Sequence, residues 1–281
     1  MAQQKPARGG PSSAGRETHR VRIHEIMAVK SKQTDGVVDI IEIARETVSF
    51  HLRGRSPFIF NAMSEKARHE LLLPRGRKTM AEKASTLKHE PLAEFRASVY
   101  RSPAGPTELV FRASGFKKAM ASAAVDIPGA ARTQIGRLVY VEGDYISIYG
   151  VPELFMSVVR SSDIARTPDI RTRAILREWA VRLDITYAVP LMRGAMVSRL
   201  LAAAGLIIGV GDWRQEKGSG NYGAFDIVAA DDPDYQRIVQ TGGRDAQQAG
   251  LAAPAAYDSE TAELLSWFDT ELDARRTRGV A

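Results

Sequence analysis

The 281-residue sequence predicts an α+β fold: an antiparallel sheet with helices on one face and hairpins inserted between its strands. Short runs with an apolar side chain at every second position recur along the chain, as half-buried strands require. Stretches with apolar residues at helical spacing separate them. A strand–proline–helix unit also occurs twice, from Val48 to Pro57 and from Val181 to Pro190, with the same nine-residue offset. Such a unit used twice fits the ferredoxin-like (RRM-like) layout, here modified by the inserted hairpins. Identity between the two copies is too low to mark a duplication.

Taken in order, residues 1–19 are Pro, Gly, Ser, Gln and Arg with almost no apolar side chains. This composition predicts a disordered basic arm. Val21–Val29, Val37–Ile43 and Glu46–Leu52 read as strands, and in the last of these Val48, Phe50 and Leu52 alternate with Ser49 and His51. Asn61–Leu73 reads as an amphipathic helix. Pro74–Pro91 is polar and carries Arg75, Arg77, Lys78, Lys83 and Lys88; it is either a basic finger on the scaffold or a solvated helix with i,i+4 pairs.

Phe95–Tyr100 and Glu108–Ala113 are expected strands around the turn SPAGP. Ala113–Ala124 is an expected small-residue helix with Ser114 as its N-cap. Lys117 and Lys118 sit near its start, where cations oppose the helix macrodipole by a few tenths of a kcal/mol. A bound anion would make that choice favourable. Leu138–Glu142 and Tyr145–Tyr149 are expected to pair as a hairpin across Gly143-Asp144, followed by a strand at Leu154–Val159.

Ser161–Arg177 reads as a connection. Arg160, Arg166, Arg171, Arg173 and Arg177 along it suit phosphate contacts, or equally ion pairs with Asp163 and Asp169. Trp179–Val189 is a long alternating strand ended by Pro190, Leu191–Ala204 a helix, Leu206–Val210 a buried strand and Ala224–Ala229 another. Residues 231–258 read as a linker, and Ser259–Arg275 as an amphipathic helix. The expected domains are the arm (1–19), an α+β body (20–230), and an acidic linker with its C-terminal helix (231–281).

The stretch Gly209–Phe225, GVGDWRQEKGSGNYGAF, concentrates the chemistry. It holds five glycines, whose backbone can approach an anion closely. Gly218 and Gly220 lie at its centre. Arg214 and Lys217 add phosphate-seeking charge, and Trp213 and Tyr222 add flat faces on which a base can stack. The alternative is a glycine-rich hairpin whose Trp plugs the core.

Net charge is +6, and it is unevenly spread. From Asp231 onward ten acids face five bases, so the first 230 residues carry about +11. A basic body with an acidic tail suits a polyanionic partner. Cysteine is absent, which excludes disulfides, thiolate metal sites and a cysteine nucleophile. No apolar run reaches the roughly 18–20 residues of a membrane span, and residues 1–19 contain no apolar signal core. A cytoplasmic protein is expected. The five histidines lack metal-ligand spacing. P-loop, nucleophile elbow and dinucleotide fingerprint are all missing. His51, beside Arg53 and Arg55, is the one candidate for acid–base work. The expectation is therefore a non-catalytic protein with no catalytic residues, metal or cofactor.

The run AAAGLIIGVGDWRQEKGSGNYGAFDIV resembles the glycine-rich loop of the RAMP superfamily, the RNA-binding subunits of CRISPR effector complexes. There an apolar helix and strand lead into Gly-x-Gly, a spacer, and a second Gly-x-Gly, matched here by Gly209, Gly211, Gly218 and Gly220. ASGFKKAMASAA is similar to the short Ser- and Lys-bearing helix of those subunits, and RTPDIRTRAIL to their arginine-bearing segment. GDWRQEK is more elaborate than the usual spacer, and the first helix motif lacks the expected second glycine. The resemblance implies a modified ferredoxin-like fold that binds single-stranded RNA or a related nucleic acid along its backbone, often as a repeating filament. The motif set also resembles proteins of phages and mobile elements.

The expected partner is thus nucleic acid, RNA favoured over DNA, with the chain acting as a homo-oligomer or as a subunit of a larger complex, away from membranes. Lys117, Lys118, Arg171, Arg173, Arg214, Lys217, Gly218 and Gly220 would meet phosphates, and Trp213 and Tyr222 would stack on bases. A ring-forming sliding clamp that encloses DNA is the alternative. An assembly protein with an acidic protein partner is a third possibility.

Overall fold

The computed structural model describes residues 41–63, 72, 89–160, 168–217 and 220–277. The chain divides into two units, Met1–Glu42 and Ile43–Ala281, and the fold below is that of the second. The basic arm, the strand at Val21–Val29, Arg166 and Gly218 lie outside the described residues. So does most of the strand at Val37–Ile43, of the helix at Asn61–Leu73 and of the basic stretch Pro74–Pro91.

The body is α+β with antiparallel pairing throughout its named strands. Its strands are β1 (Ala44–Gly54), β2 (Phe58–Ile59), β3 (Tyr100–Arg101), β4 (Leu109–Arg112), β5 (Val139–Val141), β6 (Tyr145–Tyr149), β7 (Pro152–Arg160), β8 (Pro168–Leu176), β9 (Ala180–Val189) and β10 (Phe225–Val228). The larger sheet runs β10-β1-β9-β6-β4-β3, with β5 also on β9, and a smaller sheet runs β2-β8-β7. The helices are α1 (Pro91–Ala97), α2 (Ala113–Ala123), α3 (Arg132–Leu138), α4 (Gly194–Ala203), α5 (Pro233–Thr241), α6 (Arg244–Ala252) and α7 (Ser259–Thr277).

The alternating strands pair as their pattern requires. In the β1–β9 ladder Val48 faces Ile185, Phe50 faces Leu183 and Leu52 faces Val181. This places one set of apolar side chains on one side of the sheet, and α2 and α4 cover it with Phe116, Met120, Val197 and Leu201. Fully burying a side chain of this size contributes about 1.5–3 kcal/mol. An aromatic cluster joins the two sheets: Phe58 stands 4.9 Å from both Phe60 and Phe111 and 5.3 Å from Trp179. The Trp179 indole N–H donates to the Ser56 carbonyl at 2.8 Å.

Several local expectations need correcting. Pro91 starts a helix where Phe95–Tyr100 reads as a strand; Phe95 is buried from it, and only Tyr100 and Arg101 are extended. Helix α2 begins at Ala113, after Arg112 at the cap position, so Ser114 lies inside the first turn and caps nothing. Strands β5 and β6 do not pair with each other. Both lie along β9, with Val139 opposite Tyr187 and Ile148 opposite Val181. Gly143-Asp144 therefore interrupts a strand rather than closing a hairpin.

Leu206–Val210 is not a strand either. Ala204–Ile208 continues α4 as a π-helical turn, ended at Gly209 with φ 73°. The expected linker folds as α5 and α6. Asp232 caps α5 by accepting the Tyr235 N–H at 2.8 Å, with Pro233 at the first helical position. Tyr235 and Ile238 then pack against Ala180, Tyr149 and Val228, on the side of the sheet away from α2 and α4. Helices thus occupy both faces, not one. Among the described residues, no helix is long and apolar enough to cross a membrane.

Candidate nucleic-acid interface

The smaller sheet presents one face to the glycine-rich loop. In the β7–β8 register Phe155 faces Arg173, Ser157 faces Arg171 and Val159 faces Asp169, while on β2 Ile59 faces Ile175. Directly opposed residues of an antiparallel pair share a face. That face therefore has an apolar end, Ile59, Phe155 and Ile175, and a cationic end, Arg171 and Arg173.

Gly211 pins the loop to the apolar end. Its φ is 88°, and a Cβ there would stand 2.6 Å from the Ile59 carbonyl oxygen, the same oxygen that accepts the Asp212 N–H at 2.9 Å. The next residue, Trp213, has φ 52° and is the one non-glycine residue with positive φ among those described. For an L-residue this costs on the order of 1 kcal/mol and persists only where the surroundings enforce it. Here the Asp212 carboxylate accepts the Trp213 N–H at 3.0 Å. The indole lies stacked on Tyr222 (ring centroids 5.9 Å apart, 27° between planes) and packs on the apolar end of the face.

The result is a groove of about 340 Å³, lined by Trp213, Asp212, Lys217, Arg160, Arg171 and Arg173 over a floor of Ile59, Phe155 and Ser157–Val159. Two separate elements, β8 and the loop, supply three cations to it, Arg171, Arg173 and Lys217, while Arg160, opposite Pro168 at the end of β7, borders it. Among the described residues that line the groove, Asp212 is the carboxylate that opposes them. Its Oδ2 is 3.8 Å from Arg173 Nε and 4.0 Å from Arg171 Nη1, beyond hydrogen-bond reach. Arg173 Nε is shielded from solvent and has no hydrogen-bond acceptor among the described residues. Burial, and then the neighbouring Arg171, hold the Arg173 guanidinium below its ordinary pKa, with Asp212 and Glu94 pulling the other way. An anion entering the groove would relieve that cost.

The expected site residues thus separate into groups. Arg171, Arg173, Trp213 and Lys217 meet in the groove. Arg214 does not line it: its Nε and Nη2 donate to Glu216 at 3.0 and 2.5 Å, and its Nη1 donates to the Gly211 carbonyl at 3.3 Å. Tyr222 lies beneath Trp213, beside Phe155, where burial raises its phenol pKa. Gly220 folds against the Trp213 carbonyl, which a Cβ would meet at 1.6 Å. The backbone N–H groups of Gly209, Val210, Asp212, Tyr222 and Gly223 all donate within the protein. At these five positions the N–H groups therefore do not form an open anion cradle.

Lys117 and Lys118 belong to a different surface. The Lys117 ammonium stands 5.9 Å from the Tyr140 ring centre, in a shallow groove with Arg112, Ser114 and Tyr145, and Lys118 is exposed on α2. Arg177 is committed elsewhere: it donates to both oxygens of Glu153 at 3.2 and 2.7 Å and covers the Tyr257 ring at 4.3 Å. Asp212 and the floor residues Ile59 and Phe155 escape the sequence reading. Asp212 is visible in it only as the residue before Trp213. No group of three or more potential metal ligands occurs among the described residues.

No family model matches the sequence, and no curated protein matches it. Among solved structures, the chain is similar to one from the cryo-EM structure of the type III-B Cmr-beta complex bound to cognate target RNA. The two are 14% identical with a TM-score of 0.33. The match covers 66% of this chain and 59% of that one, so it spans about three fifths of the other chain's length.

Proposed function

We propose that this protein is a non-catalytic nucleic-acid-binding protein that holds a single strand in the groove between the Trp213 loop and the β7–β8 face. The observation that carries this reading is the convergence of Arg171, Arg173 and Lys217 on one groove that is also lined by Trp213. Cations along a backbone track with an aromatic platform beside them are what sequence-tolerant binding of single strands needs. A groove of this volume takes one nucleotide-sized group, whereas a duplex would keep its bases away from Trp213. The Lys117–Tyr140 surface is a second contact. RNA is favoured over DNA on the resemblance of the glycine-rich run to RAMP subunits, and the same resemblance favours membership of a multi-subunit assembly.

The fold is read in the same terms. The element order β1, α2, β5–β6, β9, α4, β10 is β-α-β-β-α-β, and the sheet order β10-β1-β9-β6 interleaves its two halves. This supports a modified ferredoxin-like core, with the β2-β8-β7 sheet as the insertion that carries the groove.

The test is a fluorescence-anisotropy titration of a labelled single-stranded RNA at several salt concentrations. Replacing both Arg171 and Lys217 with Ala should weaken binding at least tenfold and lower the salt slope by roughly one to two. Thermal stability should change little, because both side chains are exposed. An unchanged affinity and slope would remove the groove from the mechanism.

A further inference from the structure

The cations of the groove occupy a short stretch that is bounded at both ends. Asp169, Arg171, Arg173 and Ile175 are alternate residues of β8, so they share one face of the strand. Along that face a carboxylate comes first, then two arginines, then the apolar end. Trp213, Tyr222 and Tyr257 pack on Ile59, Phe155 and Ile175 and close the apolar end. At the other end His89 holds the Asp169 carboxylate: its Nε2 stands 3.0 Å from Asp169, and its Nδ1 stands 3.1 Å from Glu94. Arg171 and Arg173 are therefore confined to one two-residue step, roughly 6.5 Å of strand, with Lys217 facing them from the loop.

A row of phosphates passing along this face would meet the closed apolar end on one side and Asp169 on the other. A single phosphate would meet neither. We propose that the groove takes the terminal phosphate monoester of a strand rather than a phosphodiester from its interior. This rests on the nucleic-acid reading above and names the part of the strand that the groove holds. The charges suit it. Among the described lining residues, Arg171, Arg173 and Lys217 against Asp212 leave two positive charges in excess, before Arg160 at the border is counted. An internal diester brings one negative charge. A terminal monoester brings nearly two at neutral pH, with three strong acceptor oxygens. It therefore has an acceptor for each of the three cations, in hydrogen bonds that charge strengthens. The Ser157 hydroxyl, opposite Arg171 in the floor, is a further donor.

The test uses the full chain and one short single-stranded RNA, labelled on an internal base, in three forms: 5′-phosphorylated, 3′-phosphorylated, and with hydroxyls at both ends. A phosphate at one end should tighten binding about tenfold in an anisotropy titration, and the end that does so identifies the source. Arg173→Met and Lys217→Ala should each cut that gain to about threefold or less. Lys217 is exposed, so its variant reads the site even where Arg173→Met disturbs the face. Equal affinities for the three forms would overturn the proposal, as would a gain that persists in full in Lys217→Ala. A hydroxyl-ended strand two nucleotides longer carries the same added charge. If it binds as tightly as the phosphorylated strand, charge alone is responsible and the proposal fails; equal gains at both ends would sink it in the same way. Equal binding of all forms leaves the nucleic-acid reading standing, whereas absence of binding by any strand removes both.

Discussion

Arg173 carries a cost in the unliganded protein that Arg171, two residues away on the same face of β8, largely escapes. Its side chain is 22% exposed, its Nε has no hydrogen-bond acceptor among the described residues, and its nearest carboxylate is too distant to bond. Replacing such a partly buried charge with an apolar side chain of similar volume is often neutral or stabilising. Arg173→Met should therefore leave the melting temperature unchanged or raise it, by roughly 1 kcal/mol in stability, while weakening RNA binding about tenfold. The pairing of those two outcomes is what matters. A variant that lost stability and affinity together would make Arg173 a structural residue whose removal merely disturbs the face. Circular dichroism melts beside the anisotropy titration decide between them.

At the scale of elements, the body is held by contacts whose partners lie far apart in sequence. Gln247, fully buried on α6, accepts the N–H groups of Glu108 and Leu109 at 2.8 Å. It donates to the carbonyls of Ile148, Gly150 and Gly242 at 2.8–3.1 Å. One amide thereby ties β4, the end of β6 and the α5–α6 turn together. Gln247→Leu fits the space but strands several buried backbone groups at about 1–3 kcal/mol each. The melting temperature should fall by about 10 °C; a drop of only a degree or two would mean that water or local rearrangement replaces the amide. Glu178 and Arg237 make a second, exposed link, between α5 and the residues leading into β9. Their two hydrogen bonds, 2.8 and 2.7 Å, hold the Glu178 carboxyl below its ordinary pKa. A depressed carboxylate pKa contributes stability above the unfolded-state value and loses it as pH falls through the folded-state value. The contribution should accordingly fade only below the usual carboxylate range, and Glu178→Gln should flatten that part of the acid melting profile slightly.

These links also show which parts of the fold a sequence can reveal. The alternating strands β1 and β9 were legible because period-two burial is written in consecutive residues. The arginines of β8 and the Trp213 loop were legible as chemistry because their residue types are scarce elsewhere. Their meeting in one groove was not, since it depends on the β7–β8 register and on Gly211 docking against Ile59. Helix α5 was readable from Asp232, Pro233 and the Tyr235–Ile238 spacing, but its acidic, weakly apolar composition resembles a linker. The π-helical turn at Ala204–Ile208 reads as a strand because a short apolar run carries no period of its own. Arg214 and Tyr222 illustrate the converse. Both have the right chemistry, yet Glu216 holds one and the other supports the indole from below.

The whole molecule poses a harder question, because a chain carrying about +11 over its first 230 residues will attract any polyanion. Co-purification with nucleic acid, or a salt-dependent affinity, therefore does not by itself show that the groove is used. Heparin separates the two effects: it has the charge of a nucleic-acid backbone and no bases. Loss of Arg171 and Lys217 removes two positive charges and should lower both the salt concentration needed to elute the protein from heparin and its affinity for single-stranded RNA. Loss of the indole should act on RNA alone. Trp213→Leu keeps apolar volume over Tyr222 and the Ile59–Phe155 floor while removing the flat face. It should weaken RNA binding roughly tenfold, the usual contribution of one stacked base, and leave heparin elution unmoved. If Trp213→Leu shifts neither, the RNA is held by charge alone and the indole is a core plug. A shift in both would mean that the loop has lost its fold, which the melting temperature would report independently.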